Sequence, residues 1–337
     1  MINSIITGVG HYVPERVVTN HDLAKVMDTN DEWIQERTGI VERRHIEPGS
    51  KISSTDLGVK AAENALKDAG LTAQDIDFIL FATLSPDYYF PGNGVLVQKA
   101  LGCKTIGAMD IRNQCSGFVY ALTTADMFIK SGKYKNILVI GAEVHSFGLD
   151  MSDEGRGVSV IFGDGAGAVI VSATEDANRG VLASNIHSEG EFAEELAVKF
   201  PGTRLGWSDE VLKEGNTITK GDLYPHMNGN YVFKHAVTRF PESIQEALVE
   251  ANLTTEDIDL FVPHQANLRI SQFVQRQLGL PDDKVFNNIQ KYGNTTAASI
   301  PIALSEAKAE GKIKEGDVVL MSAFGAGFTW GSVIMKW

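Results

Sequence analysis

Long apolar runs and amphipathic stretches alternate along this chain. Residues 137–142 read ILVIGA, and residues 318–323 read VVLMSA. Runs without an alternating polar face are what strands show when a sheet is covered on both sides. Each follows a helix end and a Gly-Lys turn, in SGKYKNILVIGAE (131–143) and EGKIKEGDVVLMSAF (310–324). A longer pair precedes them. Residues 61–80, AAENALKDAGLTAQDIDFIL, and residues 243–262, SIQEALVEANLTTEDIDLFV, match under one shift of 182. They coincide at Ala65/Ala247, Leu66/Leu248, Ala69/Ala251, Leu71/Leu253, Thr72/Thr254, Asp75/Asp257, Ile76/Ile258 and Asp77/Asp259. Each copy predicts an amphipathic helix, a short turn and a strand, Phe78–Thr83 in the first and Leu260–Pro263 in the second.

Internal repeats decide architecture. Chance likeness between αβ units is the bland alternative. The pattern favours an α/β protein of two similar halves, 1–180 and 181–337, with mixed sheets and helical layers. No linker-like or low-complexity tract separates them, so one body with a site near the junction is expected.

Composition narrows the function. The chain has 337 residues, 43% of them hydrophobic and 22% charged, as in globular enzymes. A net charge of −13 argues against nucleic acid as the main partner. The N-terminus lacks a basic region followed by a long apolar run, and no apolar stretch reaches the ~18 residues of a membrane span. A cytoplasmic location without membrane contact is the default expectation. The two cysteines, Cys103 and Cys115, match no zinc or redox spacing, and the eight histidines form no HExxH-like cluster. No metal is expected.

Candidate chemistry centres on Cys115, in DIRNQCSGFVYALTTADMFIKSG (110–132). A strand end precedes it, and Phe118, Ala121, Leu122, Ala125, Phe128 and Ile129 follow at helical spacing. Cys115 is therefore placed at a helix N-terminus, where free N–H groups and partial positive charge favour thiolate. Taken alone it equally fits a buried structural thiol. Cys103 lacks this setting and is assigned to packing. His264 lies just past the repeated strand, and Asn294 lies in a loop before a small-residue helix. Alone, each fits a structural His and an N-cap Asn. Together, a Cys nucleophile and two donors for a developing oxyanion suit acyl transfer from a thioester. The glycine-rich FGDGAGAVIVSA (162–173) has the wrong spacing for a dinucleotide loop and runs into a strand. FGAGFTWG (324–331) could offer backbone N–H groups to the site.

Four segments, NQCSG (113–117), VPHQANLRI (262–270), YGNTTAAS (292–299) and FGAGFTWGS (324–332), resemble the active-site segments of the β-ketoacyl-acyl-carrier-protein synthase III family. NDEWIQERTGIVERR (30–44), FGDGAGA (162–168) and GNYVFKHAV (229–237) extend the likeness over essentially the whole chain. The resemblance implies a thiolase fold, itself a duplicated α/β unit. It implies an acyltransferase that loads an acyl-CoA primer on cysteine and condenses it with decarboxylating malonyl-acyl carrier protein in fatty-acid initiation. Acyl-CoA is then a substrate and no cofactor is implied. Carried onto this chain, Cys115 is the acylated nucleophile, and His264 with Asn294 stabilises the malonyl enolate. The backbone N–H groups of Cys115 and Ala326 form an oxyanion hole. Trp33, Arg37, Arg156, Asn230 and Asn267 contact CoA, and Phe90 lines the primer pocket. Lys234, Arg269 and Arg276 receive the carrier protein, although each alone also fits a solvated charge. A homodimer is implied. No cysteine follows Cys115, unlike thiolases, and Asn294 stands where the elongating synthases place a second histidine. Chalcone-synthase-like enzymes share Cys-His-Asn but are typically longer.

Some features depart from the housekeeping pattern. Arg112, Asn113 and Gln114 precede the nucleophile where small alanines are usual. IRNQCSG, LSPD (84–87) and AEV (142–144) are similar to the condensing enzyme of alkylquinolone biosynthesis. Residues 191–226 read as a polar insertion, and Ala326 replaces a glycine. The alternatives are therefore a specialised-metabolism condensing enzyme with a longer, branched or aromatic primer, and a non-catalytic acyl-CoA-binding protein.

Overall fold

The structure is a computed structural model that describes residues 2–204 and 218–337. Its first sheet holds β1 (Asn3–Tyr12), β2 (Phe78–Ala82), β3 (Gly107–Ile111), β4 (Asn136–Glu143) and β5 (Gly165–Thr174), in the spatial order β1-β5-β4-β2-β3. A second sheet holds β6 (Gly180–Ser188), β7 (Leu260–Pro263), β8 (Val318–Gly325) and β9 (Thr329–Lys336), in the order β7-β8-β9-β6. The two orders repeat one pattern. β2 and β4 are parallel, as are β7 and β8; β4–β5 and β8–β9 are antiparallel, as are β5–β1 and β9–β6. The counterpart of β3 shrinks to a single parallel bridge, Phe261 to Val285.

The longer helices are α1 (Asp31–Thr38), α2 (Ser54–Ala69), α3 (Asn93–Leu101), α4 (Gly117–Lys130), α5 (Gly229–Ala251), α6 (Leu268–Leu278) and α7 (Ser299–Ala309). Alternating residues of each strand reach different layers, as the period of two requires. Ile137 and Val139 of β4 and Val319 and Met321 of β8 meet Phe118, Leu122, Ile300 and Leu304 in one core, so α4 and α7 fill the space between the sheets. Leu138 and Ile140 face out against Leu57, Ala61 and Ala65 of α2. Leu320 and Ile334 face out against Phe240, Ile244 and Val274 of α5 and α6. The apolar runs ILVIGA and VVLMSA are thus covered on both faces, in the layered thiolase arrangement.

The repeat holds down to single hydrogen bonds. Asp75 Oδ2 accepts from the N–H and hydroxyl of Thr72, and Asp257 Oδ2 accepts likewise from Thr254. These capping boxes close the turn between helix and strand. Asp77 then accepts from the backbone of Lys135 and Asn136, and Asp259 from that of Val318, tying each turn to the next strand. The turn that leads into α7 comes close because β4 carries Gly141: a Cβ there would lie 2.2 Å from the Ala297 carbonyl oxygen. Of the 191–226 segment, Leu196–Ala197 pairs with His226–Met227, and residues 205–217 lie outside the described residues.

Candidate active site

Cys115 sits in a single tight turn, Gln114–Ser116, that runs straight into α4. Ser116 braces the turn: its N–H and Oγ both donate to the Asn113 carbonyl, and its Oγ meets Thr329 Oγ1 at 2.8 Å. Gln114 takes φ of +44°, a left-handed conformation that costs a non-glycine residue about 1 kcal/mol or more. Such strain persists where the surroundings hold the backbone, and here it turns Cys115 toward the end of β8.

The backbone N–H groups of Cys115 and Ala326 both reach the sulfur. Ala326 is not among the residues with positive φ, so its Cβ is tolerated and its N–H is kept. The thiol departs from the sequence expectation. Burial, and after it the charge of Glu143, pushes its pKa up to about 12, and the two N–H groups offset only part of this. Desolvation outweighs the helix terminus, so the unloaded site holds a neutral thiol.

The fit around Cys115 is close. A Cβ on Gly325 would lie 2.6 Å from the Cys115 Cβ and 3.1 Å from its sulfur. Gly325→Ala is expected to slow acyl loading by about a hundredfold, the effect of displacing a reacting atom by about 1 Å. Mass gain against time, with circular dichroism as a folding control, checks this; loading at the wild-type rate would show that the strand yields without moving the thiol.

His264 follows β7, and its N–H donates to the Ser322 carbonyl of β8 at 2.8 Å. Gln265 clamps the loop: its Oε1 accepts from the Asn288 and Ile289 backbone, and its Nε2 donates to the Pro263 carbonyl. His264 is 3% exposed. Burial alone pushes its pKa down to about 3, so it is neutral. Nδ1 lies 2.6 Å from Ser299 Oγ, whereas Nε2 is buried without a hydrogen-bond partner among the described residues.

Asn294 is tied to the first half through its backbone, donating to the Ile161 carbonyl and accepting from Gly163. Its Oδ1 accepts the Thr296 N–H at 2.8 Å, which leaves its amide nitrogen as a donor without a partner among the described residues. Thr296 has φ of +43°, and its hydroxyl is held by His145 at 3.1 Å and by Glu143.

The other sequence-predicted residues fall into distinct places. Arg37 lies 4.5 Å and Arg156 5.6 Å above the Trp33 ring, so two neighbours on α1 and one residue distant in sequence form one aromatic–guanidinium cluster. Asn267 caps α6 and donates to the Arg37 carbonyl, joining that cluster to the His264 loop. Asn230 lies exposed at the start of α5. Arg269 and Arg276 share a face of α6, next to α5, which carries Lys234; all three are exposed, and none pairs with an acidic side chain among the described residues. Phe90 is 81% exposed in the single chain and packs into no primer pocket there. Cys103 packs at the edge of the outer core, as assigned.

Sequence reasoning missed Glu143. It is fully buried and accepts from Thr83 Oγ1, the Leu84 and Ser85 N–H groups and Ser85 Oγ, and burial raises its pKa to about 7. Its one signal is a lone acid closing an otherwise apolar strand. No group of three or more His, Cys, Asp or Glu able to hold a metal occurs among the described residues.

Cys115 lies against Gly325 at the end of β8, His264 is bonded to Ser322 of the same strand and to Ser299, and Asn294 lies five residues before Ser299. A thiol, a neutral imidazole and a carboxamide on neighbouring segments of a thiolase fold suit an enzyme of the acyl-transfer class. Comparison with known proteins narrows the class. The sequence signature described as 3-oxoacyl-[acyl-carrier-protein (ACP)] synthase III spans residues 109–190, and its C-terminal counterpart spans 248–337. The β-ketoacyl-[acyl-carrier-protein] synthase III of Rhodobacter capsulatus is 46% identical over all of this chain and 99% of its own. Synthase III 1 of Bacillus anthracis is 43% identical over the same shares. The crystal structure of 3-oxoacyl-[acyl-carrier-protein] synthase III from Aquifex aeolicus VF5 superposes with a TM-score of 0.89 at 45% identity, covering 99% of this chain and 100% of that one. The chain belongs to the β-ketoacyl-[acyl-carrier-protein] synthase III family and is an acyltransferase of the condensing type.

Proposed function

We propose that Cys115 carries the acyl group, and that His264 and Asn294 hold the oxygen of the second substrate while it becomes a carbon nucleophile. The enzyme joins an acyl-CoA primer to malonyl-acyl carrier protein at the start of fatty-acid synthesis. In the first stage the Cys115 sulfur attacks the primer thioester. The Cys115 and Ala326 N–H groups take the oxyanion, and CoA leaves with the thiol proton. In the second stage malonyl loses carbon dioxide, and its enolate oxygen accepts from His264 Nε2–H and the Asn294 amide. The enolate carbon attacks the acyl-enzyme, and the released Cys115 thiolate takes a proton from solvent. A resting thiol near 12 favours that last step. The observation that carries this reading is the buried His264 Nε2 on a neutral ring, without a partner among the described residues: a donor in place for a ligand oxygen.

CoA binds through its nucleotide on the Trp33–Arg37–Arg156 cluster, where an aromatic face and two guanidiniums suit adenine and phosphates, with Asn230 and Asn267 along the pantetheine arm. Carrier protein, acidic by class, docks on Lys234, Arg269 and Arg276. The working form is a homodimer of chains whose two halves are 1–180 and 181–337. Two features support the dimer: among the described residues β3 is an open edge strand, and Tyr88 and Phe90 lie largely exposed nearby. A second copy would bury Phe90 and let it close the primer pocket. No helix among the described residues is long and apolar enough to cross a membrane; a cytoplasmic site without a resident cofactor fits substrates of this kind.

Incubation with a panel of acyl-CoAs, read as mass added at Cys115, tests the primer. Loading of acetyl or another short acyl group is expected. Efficient loading of long or aromatic chains with no acetyl loading would move the enzyme to specialised metabolism. No loading at all would favour a non-catalytic acyl-CoA-binding protein.

A further inference from the structure

A neutral imidazole carries one N–H, on either nitrogen, and the two tautomers do opposite things to a ligand oxygen. With the hydrogen on Nε2, His264 donates to the thioester oxygen. With it on Nδ1, the Nε2 lone pair repels that oxygen. Something must decide between them, and the Nδ1 side of the ring holds the answer.

Nδ1 faces Ser299 Oγ at 2.6 Å. The same Oγ accepts the Gln265 backbone N–H at 3.3 Å. Ser299 is 2% exposed, so water does not satisfy its hydroxyl. Among the described residues the Ser299 proton has no acceptor other than Nδ1. Donation from Ser299 to Nδ1 satisfies both groups and leaves the ring hydrogen on Nε2. The opposite arrangement orphans two buried groups, the Ser299 hydroxyl proton and the Nε2 lone pair, whereas the first leaves only the Nε2–H, and a ligand oxygen satisfies that one. One orphaned group more is enough to hold the Nε2–H tautomer about fivefold or more over the other.

We propose that Ser299 is a positioning residue that fixes His264 in the Nε2–H form, so that His264 works as a hydrogen-bond donor and not as a base. Ser299 opens α7, a few residues after Asn294. One short segment therefore supplies the Asn294 donor directly and sets the proton of the His264 donor from behind.

The inference rests on the proposed role of His264, and the test separates the two. Full-length wild type, Ser299→Ala, Ser299→Cys and His264→Ala are compared in three readouts: acyl transfer from acyl-CoA to Cys115, carbon dioxide release from malonyl-acyl carrier protein, and ring ¹⁵N shifts of labelled histidine. The expected result is an Nε2–H signature in wild type. In Ser299→Ala that signature gives way to mixed tautomers, decarboxylation falls about tenfold and Cys115 loading stays within about twofold. Ser299→Cys, with a weak S–H donor, falls between. An unchanged Nε2–H signature in either folded serine variant overturns the inference. So does a parallel fall in loading and decarboxylation, which would mark a packing role. Full decarboxylation by His264→Ala would instead overturn the reading of His264, while the tautomer signature still decides the role of Ser299.

Discussion

Replacing Cys115 by Ala is expected to abolish acyl loading and to lower condensation by a factor on the order of 10⁴ or more, while malonyl decarboxylation persists. The loss is complete for loading because no other group near the turn can form the thioester. Nucleophile removal in enzymes that work through an acyl intermediate has effects of this order. Decarboxylation persists because its donors, His264 and Asn294, are held by Ser299, Ser322 and Thr296 and not by the thiol. Intact-mass measurement after incubation with acyl-CoA, beside carbon dioxide release from malonyl-acyl carrier protein, separates the two stages. Mass gain by the Ala variant would sink the assignment. The place to look would then be Cys103, the other cysteine, whose thiol burial also pushes up.

What could be read from the sequence was what local physics decides. The paired helix–turn–strand units at 61–80 and 243–262 were legible because their capping boxes, Thr72/Asp75 and Thr254/Asp257, lie three residues apart. The Cys115 turn was legible because an apolar helical period begins beside it. Contacts between distant segments were not. Ser299 and His264 are 35 residues apart, and Ser85 and Glu143 are 58 apart; each looks like an ordinary polar residue until the fold brings its partner. The thiol shows the same limit. A helix N-terminus predicts a lowered pKa, but the fold adds full burial and a carboxylate, and these set the direction. Phe90 shows it at the surface: the resemblance assigns it to a pocket, whereas one chain alone leaves it in solvent.

His264→Ala and Asn294→Ala are each expected to slow malonyl decarboxylation by about 10²–10³, the usual loss for one oxyanion donor in a dry site. Cys115 loading should change far less, because its oxyanion is served by the Cys115 and Ala326 backbone. The double variant should fall by less than the product of the two single losses, since both donors serve one oxygen. The pH dependence follows from the ring's neutrality. A His264 pKa near 3 means that the imidazole gains no proton as pH falls from 8 toward 5. Wild-type decarboxylation should therefore show no inflection from His264 across that range, where an exposed imidazole would titrate near its ordinary value of about 6.5. An inflection that vanishes in His264→Ala would mean that the ring works as a cation. The neutral-donor account, and with it the division of labour between the backbone pair at Cys115 and the side-chain pair at His264 and Asn294, would then be wrong.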